Sequence, residues 1–168
     1  MPSSPKSIPV ESEWPTYLST SVVINAPRQK VWDVLVDFAG YAKWNPYIRE
    51  CTLLDASKAP VHGRGIAADD FVTLKLHMPP AMDSVKLRAM AEHVKHVEPL
   101  SQLAWGGRMP GWLHGSEHWN VLTEIDGGTK FEIIRVFSGV VIRALSRDSF
   151  ADAIEAMAQG LKARCEKS

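Results

Sequence analysis

The chain has only two cysteines, Cys51 and Cys165. Two thiols make no disulfide framework, so the reading is two reduced cysteines in a cytosolic protein. It also lacks net charge: 19 Lys and Arg stand against 19 Asp and Glu. That balance removes the electrostatic case for nucleic acid or an anionic membrane as partner. No apolar run is long enough to span a bilayer. There is no GxxxxGK[ST], no GxGxxG behind a strand and no GxSxG elbow, so nucleotide binding and the common serine-hydrolase arrangement have no motif to rest on. The residues Met1 to Glu13 are rich in Ser and Pro and carry neither a signal-peptide core nor a membrane helix. They read as a flexible lead-in, over residues 1–15, and the cytoplasm is the expected location.

What is present suffices for one domain over residues 16–168. A chain of 168 residues falls in the range of about 100–200 residues for a single domain. At that length roughly 70% of the unfolded surface can be buried without a staple or a metal. Tyr17 to Asn25 is β-rich and ends at Ala26-Pro27, and Pro27 suits the first turn of a helix. Val31, Trp32, Leu35 and Phe38 then fall at helical spacing, with Gly40 as a stop and a second short helix predicted over Tyr41 to Asn45. From there the pattern becomes extended. Strands are expected at Tyr47 to Ala56, Gly65 to Met78, Ser84 to Val97, Leu100 to Gly106, His114 to Asp126 and Thr129 to Ser138, with a hairpin signal at Gly127-Gly128. In the second, Val72, Leu74 and Leu76 alternate with Phe71, Thr73 and Lys75. In the third, Val85, Leu87, Ala89 and Ala91 alternate with Lys86, Arg88, Met90 and Glu92. The segment Val140 to Cys165 changes period: Phe150, Ile154, Met157, Leu161 and Cys165 form one stripe of a long amphipathic helix.

That order predicts an α+β helix-grip architecture. Six strands joined by hairpins form an antiparallel meander, giving with the first a curved sheet of about seven strands. Only one helix is long enough to cover the concave face. A strongly bent sheet is not filled by one helical stripe, so an apolar cavity is expected between them.

The motif Ala26-Pro27-x-x-x-Val31-Trp32-x-Val34-Leu35-x-Asp37-Phe38, then Tyr41-x-x-Trp44-Asn45-Pro46, resembles the opening of the SRPBCC (START-like) superfamily and its polyketide cyclase/dehydrase group. Leu103-x-Trp105-x-Gly107, Gly115-x-x-His118, Gly128-Thr129-x-Phe131 and Phe137-Ser138-Gly139 look like the usual continuation. The resemblance spans Tyr17 to Cys165 and implies a deep apolar cavity with its entrance near the short second helix and the hairpin tips. Two positions depart from the family pattern: Asn120 stands where an aromatic is usual, and Arg135 where an acidic or polar residue is. If Phe131, Ile133, Arg135 and Phe137 share the inner face, Arg135 points into the cavity and needs an anionic or hydrogen-bonding partner. A ligand carboxylate, phenolate or carbonyl would serve. In the alternative register Arg135 reaches a rim or pairs with Glu92, Glu124 or Glu132.

Three functions follow as expectations. The first is a binder of a small hydrophobic or aromatic molecule, polyketide- or lipid-like. Its expected lining is Trp44, Phe71, Leu87, Trp105, Met109, Trp112, His114, Phe137, Phe150, Ile154 and Met157, because aromatics combine large apolar faces with a polar atom and Met walls adapt. The second is a polyketide cyclase or dehydratase, with His118 moving protons and Arg135 and Asn120 stabilising an enolate oxygen. The third is a protein-interaction module of the co-chaperone kind, which a filled interior together with a large exposed apolar patch would favour. His114 and His118, four apart on a strand, could instead share a metal with His93 or Glu117, but nothing fixes that geometry. No metal or cofactor is expected, nor any nucleic acid or membrane insertion.

Overall fold

The computed structural model describes residues 7–107, 113, 115–140 and 146–167. Seven strands form one antiparallel sheet: β1 (Thr16–Ile24), β2 (Ile48–Leu54), β3 (Phe71–Leu76), β4 (Arg88–Glu98), β5 (Gln102–Gly106), β6 (Gly115–Ile125) and β7 (Gly128–Ser138), in the order β1-β7-β6-β5-β4-β3-β2. Helix α1 (Arg28–Val36) and a 3-10 segment (Phe38–Lys43) link β1 to β2, and the long helix α2 (Arg147–Glu166) closes the chain. The expected meander and terminal helix are both there. Register shifts at Ile48/Glu50 and Val94/His96 are the bulges that let such a sheet bend.

Two strands begin later than the alternation predicts. Before β3, Arg64 makes two 2.7 Å bonds to the Asp70 carboxylate and the Ala67 amide a third at 2.8 Å. With Asp69 at φ 70°, residues 64–70 are held as a turn, and the strand opens only at Phe71. Before β4, Lys86 takes φ 57°, which no extended strand accommodates. The inner face of β4 is also the opposite of the expected apolar set. Glu92 and Val94 are buried and Met90 packs on the core, while Val85 is 61% exposed. Ala89 and Ala91 are exposed as well.

The helix stripe is as read from its spacing. Phe150, Ile154, Met157, Leu161 and Cys165 are all buried in the main core with Leu18, Val22, Ile24, Leu103, Trp105 and Phe131. Removing each large apolar side chain from water contributes about 1.5–3 kcal/mol. The polar side of α2 serves the free edge of β1. Arg147 donates to the Tyr17 carbonyl at 3.3 Å, Lys162 donates to the Val23 carbonyl, and Glu166 accepts from the Asn25 amide at 2.7 Å. Backbone groups that would otherwise invite another strand are thereby occupied. Ser146 caps the helix start, accepting from the Ser149 amide.

Residues 7–15 are not a loose lead-in. Ile8 and Trp14 pack on the outer face of the sheet against Ala104, Trp119, Ile134 and Val136. The apolar outer residues of β5 to β7 need cover, and the segment before β1 supplies it.

Gly160 lies where α2 crosses the 3-10 segment. A Cβ there would stand 2.4 Å from the Trp44 carbonyl oxygen and 3.2 Å from Pro46 Cδ. In a free helix, alanine would gain about 1 kcal/mol over glycine. Here Gly160→Ala is expected to destabilise by about 1–3 kcal/mol, because the helix must draw back from backbone. Denaturant unfolding measures it, and a gain in stability would show that this contact does not hold the helix.

Candidate functional site

The Tyr41-x-x-Trp44-Asn45-Pro46 motif sets the wall from which the site is built. Tyr41 is fully buried and donates its hydroxyl to the Leu35 carbonyl at 2.7 Å. Its ring meets Trp44 edge-on at 4.9 Å. Asn45 is fully buried and its Oδ1 accepts from the amides of Tyr47 (3.0 Å) and Ile48 (2.8 Å). That side chain fixes the start of β2 and turns Tyr47 into the interior.

Across the concave face the register aligns Val94, Trp105, His118, Arg135 and Leu18 as one rung over β4, β5, β6, β7 and β1. Inner residues alternate along each strand, so Glu92, Asn120, Ile133 and Phe137 fall on the same face beside that rung. Arg135 Nη2 donates to Glu92 Oε1 at 3.2 Å, and each side chain is only 2% exposed. Arg135 thus faces inward, as in the first of the two readings open for it, but its partner is Glu92, which the second reading offered. Glu92, on β4, reaches it from three strands away across the bend of the sheet. The guanidinium carbon lies 5.1 Å from the Phe137 ring centre and 5.9 Å from that of Phe150, close enough for cation–π attraction. Trp105 and His118 stack at 5.0 Å with 17° between their planes.

Electrostatics follow from burial. Loss of water pushes the His118 imidazole well below its usual range, and the nearby Arg135 charge adds to that. His118 is therefore neutral at physiological pH. Burial acts against the charge on Arg135, but Glu92 more than compensates and holds the guanidinium ionised. Burial raises the Tyr47 hydroxyl; Arg135 opposes this and Glu92 reinforces it. Tyr47 thus belongs to the same electrostatic neighbourhood.

Three polar atoms in this cluster have no hydrogen-bond partner, Glu92 Oε2, Trp105 Nε1 and Arg135 Nε, while the His118 and Asn120 side chains hydrogen-bond to each other. The Trp44 Nε1 donor is likewise unpartnered. Their side chains are nevertheless packed: Trp105 and Asn120 expose nothing and His118 1%. Clefts lined by described residues include one between α1 and α2 over Lys30, Asp33 and Arg164, one between the 3-10 segment and β2 over Phe38 and Cys51, and a smaller one over Phe71, Glu92 and His93.

Of the expected lining, Trp44, Trp105, Phe137, Phe150, Ile154 and Met157 share the main core. Phe71 lies on the other face of β3 from Val72 and Leu74, with its ring on His93 at 5.2 Å. Leu87 precedes β4 and is half-buried. Met109, Trp112 and His114 lie outside the described residues. The predicted trio His118, Asn120 and Arg135 is brought to one wall. Tyr47 and Glu92 complete the cluster. Tyr47 was not singled out from the sequence, although its place directly behind Trp44-Asn45-Pro46 was the available signal. Among the described residues no group of three or more His, Cys, Asp or Glu could hold a metal. No helix is long and apolar enough to cross a membrane. Both cysteines are buried and free; burial pushes the Cys51 thiol well up and that of Cys165 to about 11.

A seven-stranded antiparallel sheet gripping a long C-terminal helix defines the helix-grip fold of START-like ligand-binding domains. The chain belongs to the polyketide cyclase / dehydrase and lipid transport family, whose model matches residues 16–166. Solved structures with this fold include a protein from Chromobacterium violaceum, 16% identical, with a TM-score of 0.68 over 92% of this chain and 99% of that one. A START superfamily protein from Mycobacterium smegmatis is 14% identical, with a TM-score of 0.63 over 89% of this chain and 97% of that one. The di-domain ARO/CYC StfQ of the steffimycin biosynthetic pathway is 9% identical, with a TM-score of 0.64 over 89% of this chain and 50% of that one. Identities this low establish the fold alone. No curated protein matches the chain.

Proposed function

We propose that this protein binds a small hydrophobic or aromatic molecule, polyketide-like in character, between the sheet and α2, oriented by the Trp105–His118–Arg135 rung. One observation carries this reading: three unpartnered polar atoms, Glu92 Oε2, Trp105 Nε1 and Arg135 Nε, in one buried cluster. Each such atom costs about 1–3 kcal/mol if it stays unsatisfied, and natural interiors hold few of them. A ligand bearing oxygen atoms would satisfy them, while Phe137, Phe150, Ile154 and Met157 would meet its apolar surface.

The test is a titration of intrinsic tryptophan fluorescence with a flavonoid, a fatty acid and a polyketide-like aromatic. Saturable quenching is expected from at least one, with affinity reduced about 5- to 10-fold by Trp105→Phe, which removes one donor and keeps the ring. No response from any class, or a response that Trp105→Phe leaves untouched, would remove the reading.

A second reading, cyclase or dehydratase, is favoured by a neutral His118 that is hydrogen-bonded to Asn120 and stands beside Arg135 on the inner face. A neutral imidazole can accept a proton at once, though its lowered basicity weakens the driving force. Mass spectrometry of the recovered polyketide-like molecule separates the two. Unchanged material marks a binder, and loss of one water or a new ring marks an enzyme.

A further inference from the structure

Resting on the ligand-binding reading, we infer that the ligand is uncharged and carries both an acceptor and a donor, as in a hydroxylated aromatic ketone, and that Glu92 is the residue that excludes carboxylates. The sequence alone left open a ligand anion as the partner of Arg135. The structure fills that role from within the chain: Glu92 Oε1 takes Arg135 Nη2 at 3.2 Å, with both side chains 2% exposed. The two charges cancel. Among the described residues, the other buried charged side chains, Arg49 and Asp70, are committed elsewhere, Arg49 to the carbonyls of Asn45 and Asp83 and Asp70 to Arg64. An anion entering the cluster would therefore be a second, uncompensated negative charge in a dry site.

The unpartnered atoms say the same in hydrogen-bond terms. Trp105 Nε1 and Arg135 Nε are donors and Glu92 Oε2 is an acceptor. A carboxylate only accepts, so it would leave Glu92 unserved and face its oxygen. A hydrocarbon would leave all of them unserved. A carbonyl facing the Trp105 and Arg135 donors with a hydroxyl reaching Glu92 Oε2, beside Arg135, serves both kinds.

The experiment is calorimetric titration at neutral pH with two probes of one shape, 6-hydroxy-2-acetonaphthone and 6-hydroxy-2-naphthoate, which differ in carrying a methyl ketone or a carboxylate. The wild-type protein is expected to bind the ketone at least about tenfold more tightly. Glu92→Gln frees the Arg135 charge and is expected to shift that ratio at least about tenfold toward the carboxylate. In Glu92→Leu/Arg135→Met no cation remains, and the preference returns to the ketone. Thermal melts establish that each variant is folded, and the wild-type ratio needs no variant at all. A carboxylate bound as tightly as the ketone by the wild type, or a ratio unmoved in folded Glu92→Gln, overturns the inference while leaving ligand binding standing. Failure of both probes and of the flavonoid, fatty acid and polyketide-like aromatic removes the binding reading itself and this inference with it.

Discussion

Arg135→Met should lower the free energy of unfolding by about 3–5 kcal/mol, and adding Glu92→Leu should recover most of that loss. The two effects have different origins. Removing the guanidinium leaves the Glu92 carboxylate 2% exposed, with one oxygen already unpartnered. Such a group must either stay charged without a partner or take up a proton, and both destabilise the folded state. Removing both charges asks the site only to pack. Phe137 and Phe150 already lie against the Arg135 head, and a methionine can fill that space flexibly. Denaturant unfolding of the wild type, both single variants and the double variant closes a thermodynamic cycle that isolates the coupling. Additive losses, with the double variant worse than either single one, would mean that the pair is not a buried unit and would undercut the assignment of this cluster as the site. Total stabilities of folded domains are about 5–15 kcal/mol, so a single variant that loses 3–5 kcal/mol remains measurable.

The pair also marks where sequence reasoning reaches and where it stops. Its arginine half was legible. Phe131, Ile133 and Phe137 alternate at strand period, and that period carries Arg135 inward with them. The stripe on α2 was equally legible, because a single long helix over a sheet has one apolar side and five residues at helical spacing define it. The inner face of β4 was not. Ala89 and Ala91 are apolar but small, so their burial is worth little, and the face is decided by Val94 and by the partner that Glu92 finds on β7. A carboxylate turned inward looks like an error in the pattern until the opposing charge three strands along is known. The packing of the segment before β1 was out of reach of the sequence for a related reason. Its Pro and Ser content says that it forms no regular element, which is so apart from the short 3-10 turn at Glu11–Glu13. Composition is silent on whether Ile8 and Trp14 have a surface to sit on, and that surface is assembled from β5, β6 and β7. The hollow was inferred from the shape of a bent sheet and one helix. Shape alone did not anticipate that Tyr47, Trp105, Phe137 and Phe150 would meet around an ion pair.

Lowering the pH below about 6.5 should destabilise the protein by about 1.4 kcal/mol per pH unit on account of His118 alone. In the unfolded chain this imidazole takes up a proton at its ordinary value of 6.5. In the fold it does so only well below that, because it is buried and faces the Arg135 charge. Between the two values the unfolded state holds one proton more than the folded state, so stability rises with pH across that interval and falls as the medium is acidified. Above 6.5 both states are neutral there and His118 contributes no slope. The carboxylates held low by hydrogen bonds, Asp55, Asp70, Asp83, Glu155 and Glu166, titrate in the unfolded chain at 3.8 or 4.5. Their stabilisation is lost only under stronger acid, so the first part of the acid limb belongs to His118. His118→Gln keeps a polar side chain in the same place without a titrating group, and its unfolding free energy should be flatter from pH 6.5 down to about 5 than that of the wild type. Parallel pH profiles for the two proteins would show that His118 is hydrated in solution and not sealed against Trp105. A cluster open to water in that way would satisfy its own polar atoms, and the need for a ligand to satisfy them would disappear.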